Sequence, residues 1–169
     1  ASYRRNFDIP ANWDGKNVFL HFDGIYGAAF VWVNGNYVGY TQSGNNDAEF
    51  DVTKYLRAAN NNVCVQVIRW SDASYLEGQD MWHMSGIHRD VYLFATPKTF
   101  VRDHYITSEL DAANGYAGGK MNVELSVDNR AGDAVNKKVE VSLVAPDGGV
   151  VAREEVDFTF ASNIKSKLL

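Results

Sequence analysis

A chain of 169 residues with a net charge of −5 is long enough for one large domain or two small ones and can bury a sizeable core. Its acidic balance and lack of any long basic run argue against nucleic acid as a partner. No apolar stretch approaches the roughly 20 residues of a membrane span, which argues against a transmembrane helix.

Residues 3–9 read as a strand, followed by a loop with turn chemistry at 10–15. This abrupt start resembles an excised piece, and no targeting segment is recognisable. Residues 17–23 alternate Val18, Leu20 and Phe22 against Phe19 and His21. The runs 28–34 and 37–42 flank Asn34-Gly35, a hairpin signal because both residues tolerate positive φ. A short strand at 49–52 leads into one helical turn at 51–56, which Asp51 or Thr53 can cap. The three asparagines 60–62 break the chain before a strand at 63–70. The single cysteine, Cys64, excludes an internal disulfide framework and is expected in or near the core. Another strand is expected at 90–95. Short strands with turns every 8 to 12 residues predict an all-β sandwich.

Past Pro97 the texture changes. Residues 99–110 are extended and 111–119 are small, polar and Gly-rich. In 121–128, Met121, Val123, Leu125 and Val127 are expected inside, with Asn122, Glu124, Ser126 and Asp128 outside. Val139, Val141 and Leu143 repeat the pattern, a turn follows at 146–149, and Val156, Phe158 and Phe160 return. Four strands suggest an immunoglobulin-like sandwich, a fold that needs about seven. The polar tail 163–169 shows no closing strand. The expected domains are therefore 1–98 and an incomplete 99–169, whose open edge invites dimerisation or strand swapping.

The densest chemistry lies at 69–90, between two strand-like runs. Two Trp, two His, two Met and a set of carboxylates show no helical or strand period there. A loop of this length inside a compact domain is usually functional or disordered, and its aromatic and Met content argues for packing. By residue chemistry alone, Asp80 reads as a carboxylate pinning the loop to backbone N–H groups. Trp82 either lines a site or locks the backbone that aims Asp80. Trp70 and Tyr75 are able to stack on a sugar face but are expected to pack. His83 and His88, five residues apart with no third ligand at a fixed offset, make a weak zinc pattern. Arg89 either pairs with Asp90 or braces the loop through its fork of donors. Trp13 and Tyr26 offer an accessory carbohydrate surface, though aromatics at loop edges are more commonly hydrophobic lids.

The runs RWSDASYLE (69–77), QDMW (79–82), MSGI (84–87) and RDV (89–91) closely resemble the sugar-binding domain of bacterial β-galactosidases of glycoside hydrolase family 2. FDG (22–24), VNG (33–35), VGY (38–40) and EFD (49–51) extend the resemblance over most of 3–98. It implies a jelly-roll sandwich followed by an immunoglobulin-like one, and a TIM barrel elsewhere carrying both catalytic glutamates. This chain alone is then inactive. The resemblance also implies that Asp80 reaches the barrel's active site, where it binds sodium and the galactose 6-hydroxyl, with Trp82 as a candidate wall. Glu77 and Asp72 then tie the loop to itself or contact the barrel. Sodium and magnesium are implied for the full-length parent, as are a β-galactoside substrate and homo-oligomerisation. Bacterial cytoplasm and periplasm both stay open. The competing expectations are a free-standing carbohydrate-binding module of jelly-roll type and a structural or adhesive sandwich.

Overall fold

The computed structural model describes residues 1–78, 80 and 82–162, together with the backbone of 165–168. It is all-β and divides into two compact units, Ala1–Pro97 and Lys98–Leu169. The first unit holds β1 (Ser2–Phe7), β2 (Asn17–Phe22), β3 (Ile25–Tyr26), β4 (Ala28–Val33), β5 (Asn36–Thr41), β6 (Ala48–Asp51), β7 (Asn61–Ile68), β8 (Gly86–Ile87) and β9 (Val91–Thr96). One sheet runs β1-β7-β4-β5, a second runs β6-β2-β9, and β3 pairs with β8. Every pairing is antiparallel.

Val18, Leu20 and Phe22 of the second sheet pack against Ala29, Val31, Val33, Val65 and Val67 of the first. Burying each of the larger side chains contributes on the order of 1.5–3 kcal/mol. Alternation along β7 leaves Cys64 half-buried on the opposite face from Val65 and Val67. The β4–β5 hairpin turns at Asn34 (φ 52°) and Gly35 (φ 82°), with Val33 opposite Asn36. That is the backbone a two-residue turn needs to match the twist of its strands.

Several expectations need correction. Both faces of β2 are covered, since it is the middle strand of its sheet: Phe19, on the face opposite Val18, Leu20 and Phe22, is also buried, with its ring stacked on Phe94 at 5.2 Å. Of the three asparagines, only Asn60 breaks the chain, with φ 57°, whereas Asn61 and Asn62 lie inside β7. Asn61 is fully buried. Its side chain accepts from Arg57 N and Asn34 Nδ2, each at 2.8 Å, and donates to the Arg57 carbonyl at 2.9 Å. The strand ends at Ile68, so Arg69 and Trp70 lie beyond it. Helical turns are more numerous than the one expected. Three-residue 3-10 turns occupy Ala11–Trp13, Thr53–Tyr55 and Ala112–Asn114, and a four-residue helix α1 spans Ala73–Leu76. Elements this short fall below the window in which hydrophobic period is readable. At the turn after β6, Asp51 accepts from Thr53 N at 3.0 Å.

The second unit holds β10 (Thr99–Leu110), β11 (Gly119–Asn129), β12 (Val135–Val144), β13 (Val150–Phe160) and β14 (Lys165–Leu168). Its sheets are β10-β11-β14 and β12-β13. A cleft of about 570 Å³ lies among their side chains, lined by Ile106, Val123, Leu125, Val139, Val141 and Phe160 among others. The tail forms a strand after all: β14 pairs antiparallel with β11, Leu125 opposite Leu168 and Asp128 opposite Lys165. The edge of β11 away from β10 presents unpaired backbone groups, which template even a polar strand. Asp128 is buried rather than exposed, and Arg130 Nε donates to its carboxylate at 3.0 Å. Beside it, fully buried Asn129 donates to the carbonyls of Asp133, Phe160 and Ala161 and accepts from Thr99 Oγ1 and Ala131 N.

Candidate functional site: the connection between β7 and β9

The chain leaves β7 at Ile68 and re-enters the sheets at Val91. Its first part is folded by local polar chemistry. Asp72 accepts from Ala73 N at 3.1 Å and starts α1, as expected for a side chain that favours helix starts. The Ser74 hydroxyl donates to the Arg69 carbonyl at 2.7 Å and accepts from Ser71 N at 3.1 Å. Glu77 closes this part against a different loop, its Oε2 accepting from Gly44 N at 2.9 Å. Asp72 thus ties the loop to itself, while Glu77 reaches across to the β5–β6 connection. Below them, the Tyr40 phenol is pushed above its ordinary value of 10.0. Partial burial is the main cause, followed by the negative charges of Asp72 and Glu77 and by Tyr37.

The return path is equally constrained. Arg69 Nη2 donates to the His83 carbonyl at 3.4 Å, joining the two arms. Gly86, at φ 113°, lies against the Tyr3 hydroxyl, and β8 pairs with β3 through Ile25–Ile87 and Tyr26–Gly86. Arg89 braces the loop: Nη1 donates to the carbonyls of Asp23 at 3.1 Å and Asn45 at 3.4 Å. Asp90 accepts from Asp23 N at 3.0 Å through its own carbonyl. The His88 ring lies over Gly24, and His83 lies beside Gly78.

Asp80 sits exposed at a bend on the tip. Its sequence neighbours Gln79 and Met81, which belong to the QDMW run, lie outside the described residues. Trp82 is 85% exposed, Trp70 73% and Tyr75 86%. The packing expected of Trp70 and Tyr75 is therefore wrong. Trp70 lies past the strand end, with the Arg69 guanidinium over its indole at 5.0 Å, and a four-residue helix turns Tyr75 and Leu76 outward. Trp13, by contrast, packs on the core, and Tyr26 lies against Gly44, both as lids. The tip thus offers a carboxylate and large aromatic faces on a loop tied down at both flanks.

A group that sequence reading missed lies beside the Arg89 brace. His21 Nε2 is 3.2 Å from Asp23 and 3.8 Å from Asp47, and Nδ1 is 3.6 Å from Glu49. The imidazole stacks on Tyr92 at 4.8 Å. Recognising this group requires the β2–β6 register, which sets His21 opposite Glu49; no linear spacing carries it.

The family model for glycosyl hydrolases family 2, sugar binding domain, matches residues 1–97. The chain belongs to glycosyl hydrolase family 2. It is 41% identical over 167 residues to a β-galactosidase of Lactobacillus delbrueckii subsp. bulgaricus, covering 95% of this chain and 16% of that protein. It is 39% identical over 153 residues to a β-galactosidase of Vibrio cholerae, covering 90% of this chain and 14% of the relative. A crystal structure of a Bacteroides uniformis β-glucuronidase superposes with a TM-score of 0.87 at 20% identity, covering 99% of this chain and 20% of that one. That likeness shows the shared fold. The chain therefore spans only a small part of its relatives, and its first unit corresponds to the sugar-binding domain of the family.

Proposed function

We propose that this chain is a non-catalytic part of a retaining β-galactosidase, and that it presents Asp80, with Trp82 beside it, to a catalytic barrel outside this chain. The observation that carries this reading is the exposure of both side chains on a tip whose flanks are fixed by Glu77, Arg69 and Arg89. An ionised carboxylate accepts from a sugar hydroxyl with charge assistance and is a hard oxygen ligand for a cation. In the proposal Asp80 accepts from the galactosyl 6-hydroxyl and supplies one oxygen to sodium, while Trp82 walls the site. The two carboxyls of retaining hydrolysis, which stand about 5–5.5 Å apart, are assigned to the barrel.

Among the described residues no group of three or more His, Cys, Asp or Glu side chains is placed to hold a metal. Asp80 alone does not make a sodium or magnesium site. Any further ligands for either ion are assigned to the barrel. Homo-oligomerisation belongs to the same proposal and is checked by sedimentation of the intact enzyme.

The discriminating experiment is calorimetric titration of the isolated chain with galactose and lactose, alongside a chromogenic galactoside assay. Neither binding at low-millimolar strength nor turnover is expected. Micromolar to low-millimolar binding would establish a free-standing carbohydrate-binding module instead. Turnover that disappears on mutating the loop carboxylates would refute the non-catalytic role.

A further inference from the structure

The group around His21 does more than fill space beside the loop. It gathers side chains from four places: His21 on β2, Asp23 just after it, Asp47 and Glu49 at the start of β6, and Tyr92 on β9. Two of these places hold the loop that carries Asp80. The Asp23 carbonyl accepts from Arg89, and so does that of Asn45, two residues before Asp47. Gly44, in the same connection, donates its N–H to Glu77. Whatever fixes Asp23 and Asp47 therefore fixes both flanking braces of the loop.

The proton inventory of the group decides what His21 does there. A neutral imidazole has one N–H and one lone pair, whereas an ionised carboxylate only accepts. Here both ring nitrogens face carboxylate oxygens, Asp23 and Asp47 on one side and Glu49 on the other. Nδ1 is buried and, among the described residues, has no hydrogen-bond partner within normal distance. With a single ring proton, one nitrogen lone pair would point at an anion. With two, each nitrogen carries a proton toward an anion, at 3.2 Å for Asp23 and 3.6 Å for Glu49. The surroundings are strongly negative: the Tyr92 phenol is pushed above its ordinary value by partial burial, then by the charges of Asp23 and Asp47, a hydrogen bond to Asp23 and the charge of Glu49. Arg89, which lies beside the group, donates to the backbone carbonyls of Asp23 and Asn45.

We infer that His21 is a positioning residue, an imidazolium strut whose hold on Asp23 and Asp47 fixes the β5–β6 connection and the Arg89 brace, and thereby the loop bearing Asp80. Its value to function rests on the presentation of Asp80 proposed above. Its physical content does not: loss of the ring proton loosens the connection around Gly44 while the core stays closed. His21 touches neither sugar nor reacting atoms.

The test uses the whole 169-residue chain and no sugar. A side-chain ¹⁵N spectrum at about pH 6 should show both His21 nitrogens protonated; a single protonated nitrogen overturns the inference. Hydrogen exchange at the Gly44 amide, corrected for intrinsic rates, is then followed from about pH 5 to about pH 8, the range over which imidazoles change charge. Protection should fall roughly threefold to fivefold, the scale of a partly exposed charge network, while Val65 in the core stays constant. His21→Gln should show low, pH-independent protection at Gly44. So should His21→Phe, which keeps a ring against Tyr92. A flat wild-type profile, or His21→Gln following the wild-type curve, overturns the strut. If a variant also loses protection at Val65, the wild-type spectrum and profile decide alone. Asp80→Asn should leave the Gly44 profile intact, which separates failure of the strut from failure of the sugar role.

Discussion

Replacing Gly86 by alanine is the sharpest mechanical perturbation of the loop. The residue lies at φ 113°, a conformation costing on the order of 1–3 kcal/mol for a residue with a side chain. The added methyl would also overlap the Tyr3 hydroxyl, whereas the ring carbon Cζ stands at an ordinary 3.5 Å. Overpacking of this kind costs about 1–3 kcal/mol, so the expected loss is roughly 2–6 kcal/mol by the sum of the two principles. For a unit of this size each kcal/mol lowers the thermal midpoint by about 4–8 °C. Gly86→Ala should then melt about 10 °C or more below the wild type, followed by tryptophan fluorescence. The cycle with Tyr3→Phe separates the two causes. Removing the hydroxyl alone should change little, because Tyr3 is partly exposed. In the Gly86→Ala background it should restore about 1 kcal/mol or more, leaving the backbone cost in place. A wild-type midpoint for Gly86→Ala, or strict additivity with Tyr3→Phe, would refute the reasoning.

Asn61→Ala removes a fully buried amide and its bonds to Arg57 N, the Arg57 carbonyl and Asn34 Nδ2, the last of which keeps the Tyr55 carbonyl. Urea unfolding should show a loss of about 2–4 kcal/mol, the scale of unsatisfied buried polar groups. In the second unit, Glu140 is held below its ordinary value of 4.5 chiefly by its hydrogen bond from Arg153. A lowered folded value means the contribution is present above about pH 4.5 and disappears as pH falls through that lowered value. Urea midpoints against pH should therefore converge for wild type and Arg153→Gln in acid and separate above it; parallel curves would contradict this. Glu77→Gln keeps an acceptor for Gly44 N but removes charge near Tyr40. The Tyr40 phenol should then ionise at lower pH, read by ultraviolet difference titration.

What the residues disclosed in advance were the local, repeating signals. Asn34-Gly35 revealed its hairpin because the turn requires positive φ at both positions, and short alternating runs revealed an all-β chain. The same alternation misled at Asp128, whose surroundings depend on what covers a sheet's second face. Asn61 read as a chain breaker and Asn129 carried no signal, yet both are buried hubs, since their partners are backbone groups that only the fold brings near. In the loop, Asp80 and Trp82 were legible as a motif and stand exposed. Neither the Glu77–Gly44 tie nor the group around His21 was, because each joins segments tens of residues apart in the chain.

The intact enzyme with Asp80→Asn offers the most direct measurement, with KM for a chromogenic galactoside determined across a sodium titration. Losing a charged acceptor costs roughly 1.5–3 kcal/mol, so KM should rise about tenfold or more, and sodium should no longer lower it. Unchanged KM and an unchanged sodium response would contradict the presentation of Asp80 to the galactosyl group.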